Sequence, residues 1–177
     1  GDLKAGSLGP LDVLGVYQNT ALSGKISWKE QSAKVFQSLF PQQWNWLIHE
    51  GSIKGQSEFA INGNGVKMKG ELNLKNGKIT IPDGEIYGLN IRFPMNYENS
   101  ALQVASGKPI HISTQNIRYG ALSVANGELD LFGRYPNTMK NPLTLRNVKL
   151  SLFDGVLTVP QLSFPQSKIA TLSFTNI

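Results

Sequence analysis

The sequence predicts a mostly β fold: an antiparallel sheet with two short helices near its N-terminal end. Three observations carry this. From residue 52 onward apolar and polar residues alternate, the period of a strand with one buried face. Asx-Gly dipeptides, favoured in tight hairpin turns, recur at Asn76-Gly77, Asp83-Gly84, Asn126-Gly127 and Asp154-Gly155. A helical period occurs in one stretch only, residues 27–50.

Taken in order, residues 1–26 hold short apolar groups among glycine and serine, read as one or two weak strands with Leu11, Val13 and Leu14 buried. Ser27-Trp28-Lys29-Glu30 fits a capping box, with Ser27 as N-cap and Glu30 three residues on. Ala33, Phe36 and Phe40 then recur at helical spacing. Pro41 closes that helix and opens a second, whose apolar face is Trp44, Leu47 and Ile48, with Gly51 as its stop. The spacing therefore predicts helices over 28–39 and 42–50. Trp44 reads as core, while Trp28 and Trp46 fall off the stripe, packed over the sheet or placed at a membrane interface.

The sheet region is 52–177. Val66, Met68, Leu72 and Leu74 form one row, with Lys67, Lys69, Glu71 and Asn73 on the other side. Ile79 and Ile81 follow, then Leu89, Ile91 and Phe93 on odd numbers, although Ile86 is even. Gly88 therefore marks a bulge that changes parity. The alternation returns at Ile110/Ile112, Leu122/Val124, Leu129/Leu131, Leu150/Leu152, Leu157/Val159 and Leu172/Phe174. Residues 94–108 and 133–142 read as longer loops. About ten strands result.

Composition excludes several functions. The chain has 177 residues, 40% of them hydrophobic, so a sizeable core is affordable. It has no cysteine, which rules out disulfides and thiolate zinc sites. The net charge of +5 comes from scattered lysines and arginines. No basic stripe interleaves with aromatics, so nucleic acid is not an expected partner. His49 and His111 lie far apart, and no HExxH motif, phosphate loop, dinucleotide fingerprint or nucleophile elbow occurs. No catalytic residue, metal or cofactor is expected, and an enzyme is disfavoured. Both ends read as cut, which predicts a piece of a longer protein whose targeting or anchoring segment lies elsewhere.

An apolar sheet face must be covered, and two short helices cannot cover ten strands. Either the sheet folds on itself as a sandwich, or its apolar face lines a groove for an apolar ligand. An acyl chain of about 16 carbons gains on the order of 10 kcal/mol when shielded from water. A sandwich-type structural or polysaccharide-binding module is the alternative, with Tyr87 and Tyr119 as candidate sugar platforms on the polar face.

One further pattern bears on this choice. Leu39-Phe40-Pro41-Gln42-Gln43-Trp44, then Gly51-Ser52-Ile53-Lys54-Gly55, Ile86-Tyr87-Gly88-Leu89-Asn90, Ile110-His111-Ile112 and Asn126-Gly127-Glu128-Leu129 occur in this order. Val148 to Val156, Leu162-Ser163-Phe164-Pro165 and Leu172-Ser173-Phe174 complete it. Together they resemble the C-terminal region of YdbH-like proteins, among the AsmA and TamB type of bridge-like lipid carriers. The resemblance covers most of 36–177 and rests on glycine and apolar positions. It implies an elongated, strongly curved sheet with an apolar groove for phospholipid acyl chains. It also implies a periplasmic protein anchored in the inner membrane by a segment absent here, and a small outer-membrane lipoprotein (YnbE-like) as partner. The apolar rows would then form the groove wall: Val66, Met68, Leu72, Leu74, Ile79 and Ile81, then Leu89, Ile91 and Phe93, then Leu129, Leu131, Leu150 and Leu152.

Overall fold

The computed structural model describes residues 2–4, 10–165 and 171–176. They form one antiparallel sheet of 13 strands. The first half contains β1 (Asp2–Lys4), β2 (Pro10–Gln18), β3 (Ala21–Ser32), β4 (Leu47–Asn62), β5 (Gly65–Ile81) and β6 (Gly84–Glu98). Then come β7 (Ala101–Val104), β8 (Ile110–Thr114), β9 (Asn116–Tyr119), β10 (Leu122–Tyr135), β11 (Leu143–Leu152), β12 (Gly155–Phe164) and β13 (Ser173–Asn176). Order in the sheet follows order in the chain, except that β10 sits beside β7, β8 and β9 together. Those three short strands pair with successive stretches of β6 on their other side.

The two predicted helices over 28–39 and 42–50 are not observed. A 3-10 helix covers Ala33–Leu39, followed by a 3-10 turn at Gln42–Trp44. Trp28 to Ser32 belong to β3, and Leu47 to Glu50 begin β4. Backbone pairing across the sheet outweighed the local helix signal: Gln31 and Ser32 pair with Ile53 and Ser52, and Leu47 and Ile48 with Thr80 and Ile79. The N-cap is accordingly Ser32, whose Oγ accepts from Lys34 N, and not Ser27. Gly51 is a bulge residue inside β4 rather than a helix stop. Trp44 is about half exposed and not core. Its indole meets Trp46 at 5.3 Å between ring centroids.

Two of the four Asx-Gly dipeptides end hairpins. Asp83-Gly84 and Asp154-Gly155 do mark hairpin ends. Asn76-Gly77 and Asn126-Gly127 do not; both lie inside long strands, at register shifts of β5 and β10. Asn76 takes φ 54°, the left-handed region that asparagine tolerates. Hairpin turns also form without an Asx-Gly dipeptide: Asn19-Thr20 and Asn99-Ser100 each have both residues at positive φ, as a type I′ turn requires. The second folds part of the expected 94–108 loop into the β6–β7 hairpin. Residues 133–135 continue β10.

Alternation assigns each strand's two faces. Leu14, expected to be buried, pairs with Lys25 on the polar side and is 75% exposed. Val13 pairs with Ile26 on the apolar side and is half-buried. The side chain of Leu11, together with Gly1 and Ile177, lies outside the described residues.

Deep burial is confined to a few, mostly small side chains. The accessible surface is 11488 Å², about a third more than the roughly 8,500 Å² expected of a compact monomer of 19.4 kDa. No large side chain among the described residues is fully buried. Two stacked sheets would bury their facing rows in a core about 10 Å thick. Here there is one sheet, and no second sheet among the described residues, so the sandwich arrangement is not observed.

Candidate functional site

Directly opposed residues of an antiparallel ladder share a face. Following the register across strands therefore maps that face. One row runs Ile48, Ile79, Ile86, Ile117, Val124, Leu152 across six strands. A second runs Ile53, Leu74, Ile91, Ile112, Leu129 across five. Leu72 opposes Phe93, and Met68 sits between Phe59 and Tyr97. Val66 opposes Ile61, Ile81 opposes Gly84, and Leu89 opposes Gly77. Leu131 lies between Ile110 and Leu145, and Leu150 between Gly127 and Leu157. All thirteen residues singled out from the sequence thus stand on one side of the sheet.

That coherence depends on bulges. A one-residue slip sends a strand's apolar set to the wrong face. In β5 the apolar row is even up to Leu74 and odd from Gly77 to Ile81; the shift at Asn76-Gly77 performs the change. β4 changes parity around Gly51 (φ 129°) and β6 at Gly88 (φ 65°), as its sequence indicated. The bulges are adjacent: a Cβ on Gly51 would meet Gly77 Cα at 3.0 Å. Side chains hydrogen-bond the backbone at the bulges: Asn76 N donates to Asn90 Oδ1 (3.1 Å) and Asn90 Nδ2 to Gly88 O (3.2 Å), while Tyr87 O accepts from both Gln115 N (3.0 Å) and Thr114 Oγ1 (2.7 Å).

The 3-10 helix roofs one part of this face. Gln37 staples it: its Nε2 donates to Trp46 O at 2.7 Å, and its Oε1 accepts from Ile48 N at 2.6 Å. Beneath lies a hollow of about 330 Å³, at the small end of ligand pockets. Ala33, Phe36, Leu39 and Phe40 line it from the roof, and Ile48 and Ile53 from β4. Six of the thirteen residues form its floor: Leu72, Leu74, Ile79, Leu89, Ile91 and Phe93. Glu50 is the one ionisable residue on its wall. Val66, Met68, Ile81, Leu129, Leu131, Leu150 and Leu152 lie on the same face but outside the hollow. The sequence had assigned Phe36, Phe40 and Ile48 to helices, so their place in this wall was missed.

Away from the roof no helix packs on the apolar face among the described residues, and exposure there is uneven: Val124 and Ile110 are 6% and 5% exposed, Leu122 and Tyr119 40% and 57%. Tyr119 pairs with Gly84 and Leu122, which puts it on the apolar face and not on the polar one where a sugar platform was expected.

The opposite face is a polar ladder: Lys54, Asn73, Arg92, His111, Asp130, Arg146, Gln161. Within it His111 Nδ1 lies 2.7 Å from Asp130 Oδ1, with Asn147 Nδ2 donating to Asp130 Oδ2 at 3.2 Å. Burial pushes the Asp130 pKa up, but the His111 and Asn147 hydrogen bonds and the His111 and Arg146 charges together hold it below its ordinary value. A carboxyl that titrates lower when folded stabilises the fold above about pH 4 and loses that contribution as pH falls through the folded pKa. Asp130→Asn is therefore expected to give a shallower loss of stability on acidification, read from urea midpoints between about pH 5 and pH 2. Equal slopes for both proteins would contradict this. Among the described residues no cluster of metal-ligating side chains occurs, and no helix is long and apolar enough to cross a membrane.

Comparison with known proteins bears on an apolar face of this kind. The family model described as "YdbH-like: Intermembrane phospholipid transport protein YdbH" matches residues 1–177. The chain is 31% identical over 178 aligned positions to the "Probable phospholipid transport protein YdbH" of Escherichia coli (strain K12). That alignment covers 100% of this chain and 20% of the relative, so the chain spans about a fifth of that protein's length. No solved structure matches. Matched by the family model along its whole length, the chain belongs to the YdbH-like family.

Proposed function

We propose that this chain is a lipid-carrying segment whose apolar sheet face shields phospholipid acyl chains on their way between the inner and outer membranes. The single observation that carries the reading is the uncovered apolar face: one 13-stranded sheet, no fully buried large side chain among the described residues, and only the 3-10 helix as a roof. Leaving such rows in water is unfavourable by about 25 cal/mol for each Å² of apolar surface. An acyl chain laid along them removes that surface from water together with its own. Membership of a family described by phospholipid transport supports phospholipid as the cargo.

The mechanism is passive. Each methylene exchanges one apolar neighbour for another as the chain slides, so no bond is made or broken and no catalytic group is called for. Rows of isoleucine and leucine crossing up to six strands offer a continuous track, and the bulges hold the rows in register. Headgroups stay in water beyond the strand ends. In this reading the sheet is an elongated, curved groove within a longer periplasmic protein, anchored at the inner membrane by another segment and meeting a small lipoprotein at the outer membrane.

The test is mass spectrometry of an organic extract of the purified 177-residue chain. Phospholipid in at least equimolar amount is expected. Lipid-free protein of unchanged fold would overturn the reading.

A further inference from the structure

We propose that the polar face carries a second, separate binding site, one for a phosphate ester. A hollow of about 700 Å³ opens there, lined by β4, β5, β6, β7, β10, β11 and the loops leading into β8 and β11. Four cations line it, Lys69, Lys108, Arg134 and Lys140, against one carboxylate, Glu71. Lys108 Nζ lies 3.3 Å from Glu71 Oε2, which accounts for that pair. Among the described residues no ion pair engages the other three. Arg134 Nε is buried and has no hydrogen-bond partner.

The backbone fixes these groups in place. Lys69 alternates with Met68 along β5, which puts it on the face away from the isoleucine rows, opposite Asn96. Arg134 faces the same way, opposite Gln103 on β7, and its N donates to Pro142 O at 3.3 Å. The loop that carries Lys140 closes on itself: Thr138 N donates to Asn141 O at 2.9 Å, and Asn141 N to Thr138 Oγ1 at 3.1 Å. Three like charges round one hollow repel one another, and a dianion reverses that term. A guanidinium fork matches two oxygens of one phosphate, while lysines serve as point charges. The hollow is larger than a bare ion needs and lies within the range of small-molecule sites. The amides of Gln56, Asn96 and Gln103 on its wall suit the hydroxyls of a polar substituent. The chemistry is therefore that of a glycerophosphate or phosphorylated sugar, free in solution or presented as a lipid headgroup. The site lies on the other face from the acyl-chain rows and stands whether or not that reading holds.

Two probes separate the sources: calorimetric titration with sn-glycerol 3-phosphate, and flotation with vesicles of phosphatidylglycerol in phosphatidylcholine against phosphatidylcholine alone, both at about 0.15 M salt, where surface attraction beyond about 8 Å is screened. The 177-residue chain is expected to bind at least one probe. Binding to the soluble ester alone assigns a free ligand, and binding to the anionic vesicles alone assigns a headgroup. Arg134→Gln and the double variant Lys69→Gln/Lys140→Gln are each expected to weaken binding about tenfold, the loss of a charge-assisted contact. Lys149→Gln, an exposed polar-face lysine outside this hollow, is expected to leave it unchanged. Lys69 and Lys140 are exposed, so the double variant decides the matter even if Arg134→Gln fails to fold. Binding to neither probe, or full binding by the double variant, overturns the proposal.

Discussion

Replacing Ile91 by aspartate is expected to leave the sheet folded and to cut phospholipid binding at least tenfold. Ile91 stands mid-row between Leu74 and Ile112, on the floor of the roofed hollow, and is only half-buried. At this part-exposed position its carboxylate keeps contact with water, so the cost to folding is about 1–2 kcal/mol, ordinary for a point substitution. A bound acyl chain fares worse. It must leave the hydrated carboxylate alone and forgo contact for two or three methylenes, about 2 kcal/mol. Ile53→Asp makes the contrast. Ile53 is 3% exposed beneath Ala33, so its charge would be buried without a partner, and that protein is expected not to fold. Circular dichroism and displacement of a fluorescent acyl probe read the two effects apart. If Ile91→Asp also unfolds, the face is a closed core and not a lipid surface.

Gly51→Ala is expected to destabilise the fold by about 3 kcal/mol. Two causes add. At φ 129° a side chain is strained, worth about 1–3 kcal/mol. The new Cβ would also sit 3.0 Å from Gly77 Cα and 3.3 Å from Ala33 Cβ, so β4 must move from β5 or the roof must lift. A drop in the urea midpoint with an unchanged slope is the expected signature. Gly63→Ala is the control, because its Cβ would meet nothing within 4 Å; its stability should change by less than about 0.5 kcal/mol. A neutral Gly51→Ala would mean that the aligned bulges do not hold the rows together.

These two sites show how much the sequence disclosed. Alternation identified the apolar rows, and even the parity change at Gly88 was legible from Ile86 against Leu89 and Ile91. Asn76-Gly77 was not, because the dipeptide that makes a type I′ turn also makes a bulge. Only a continuous partner strand distinguishes the two, and β4 supplies it over sixteen residues. The helix signal at 27–50 failed for a related reason. Ala33, Phe36 and Leu39 at steps of three suit a 3-10 helix as well as an α-helix, and the flanking residues gained more from pairing in β3 and β4. The roof over the hollow is a consequence of that failure, since a shorter helix leaves Ile48 free to join the isoleucine row. Openness of the face was not legible at all. Alternation looks the same whether a second sheet or nothing lies opposite, and only burial in three dimensions separates the cases.

In the proposed function one face of the sheet, and only one, meets acyl chains. Register-resolved photocrosslinking tests it most directly. A photoreactive side chain placed in turn at Leu72, Asn73, Leu74, Ile91 and Arg92, with the protein incubated with phospholipid vesicles, reads the two faces residue by residue. Strong crosslinks to phospholipid are predicted at positions 72, 74 and 91, and background at 73 and 92. Equal yields on both faces, or none at the three apolar positions in a folded protein, would contradict one-sided contact with acyl chains.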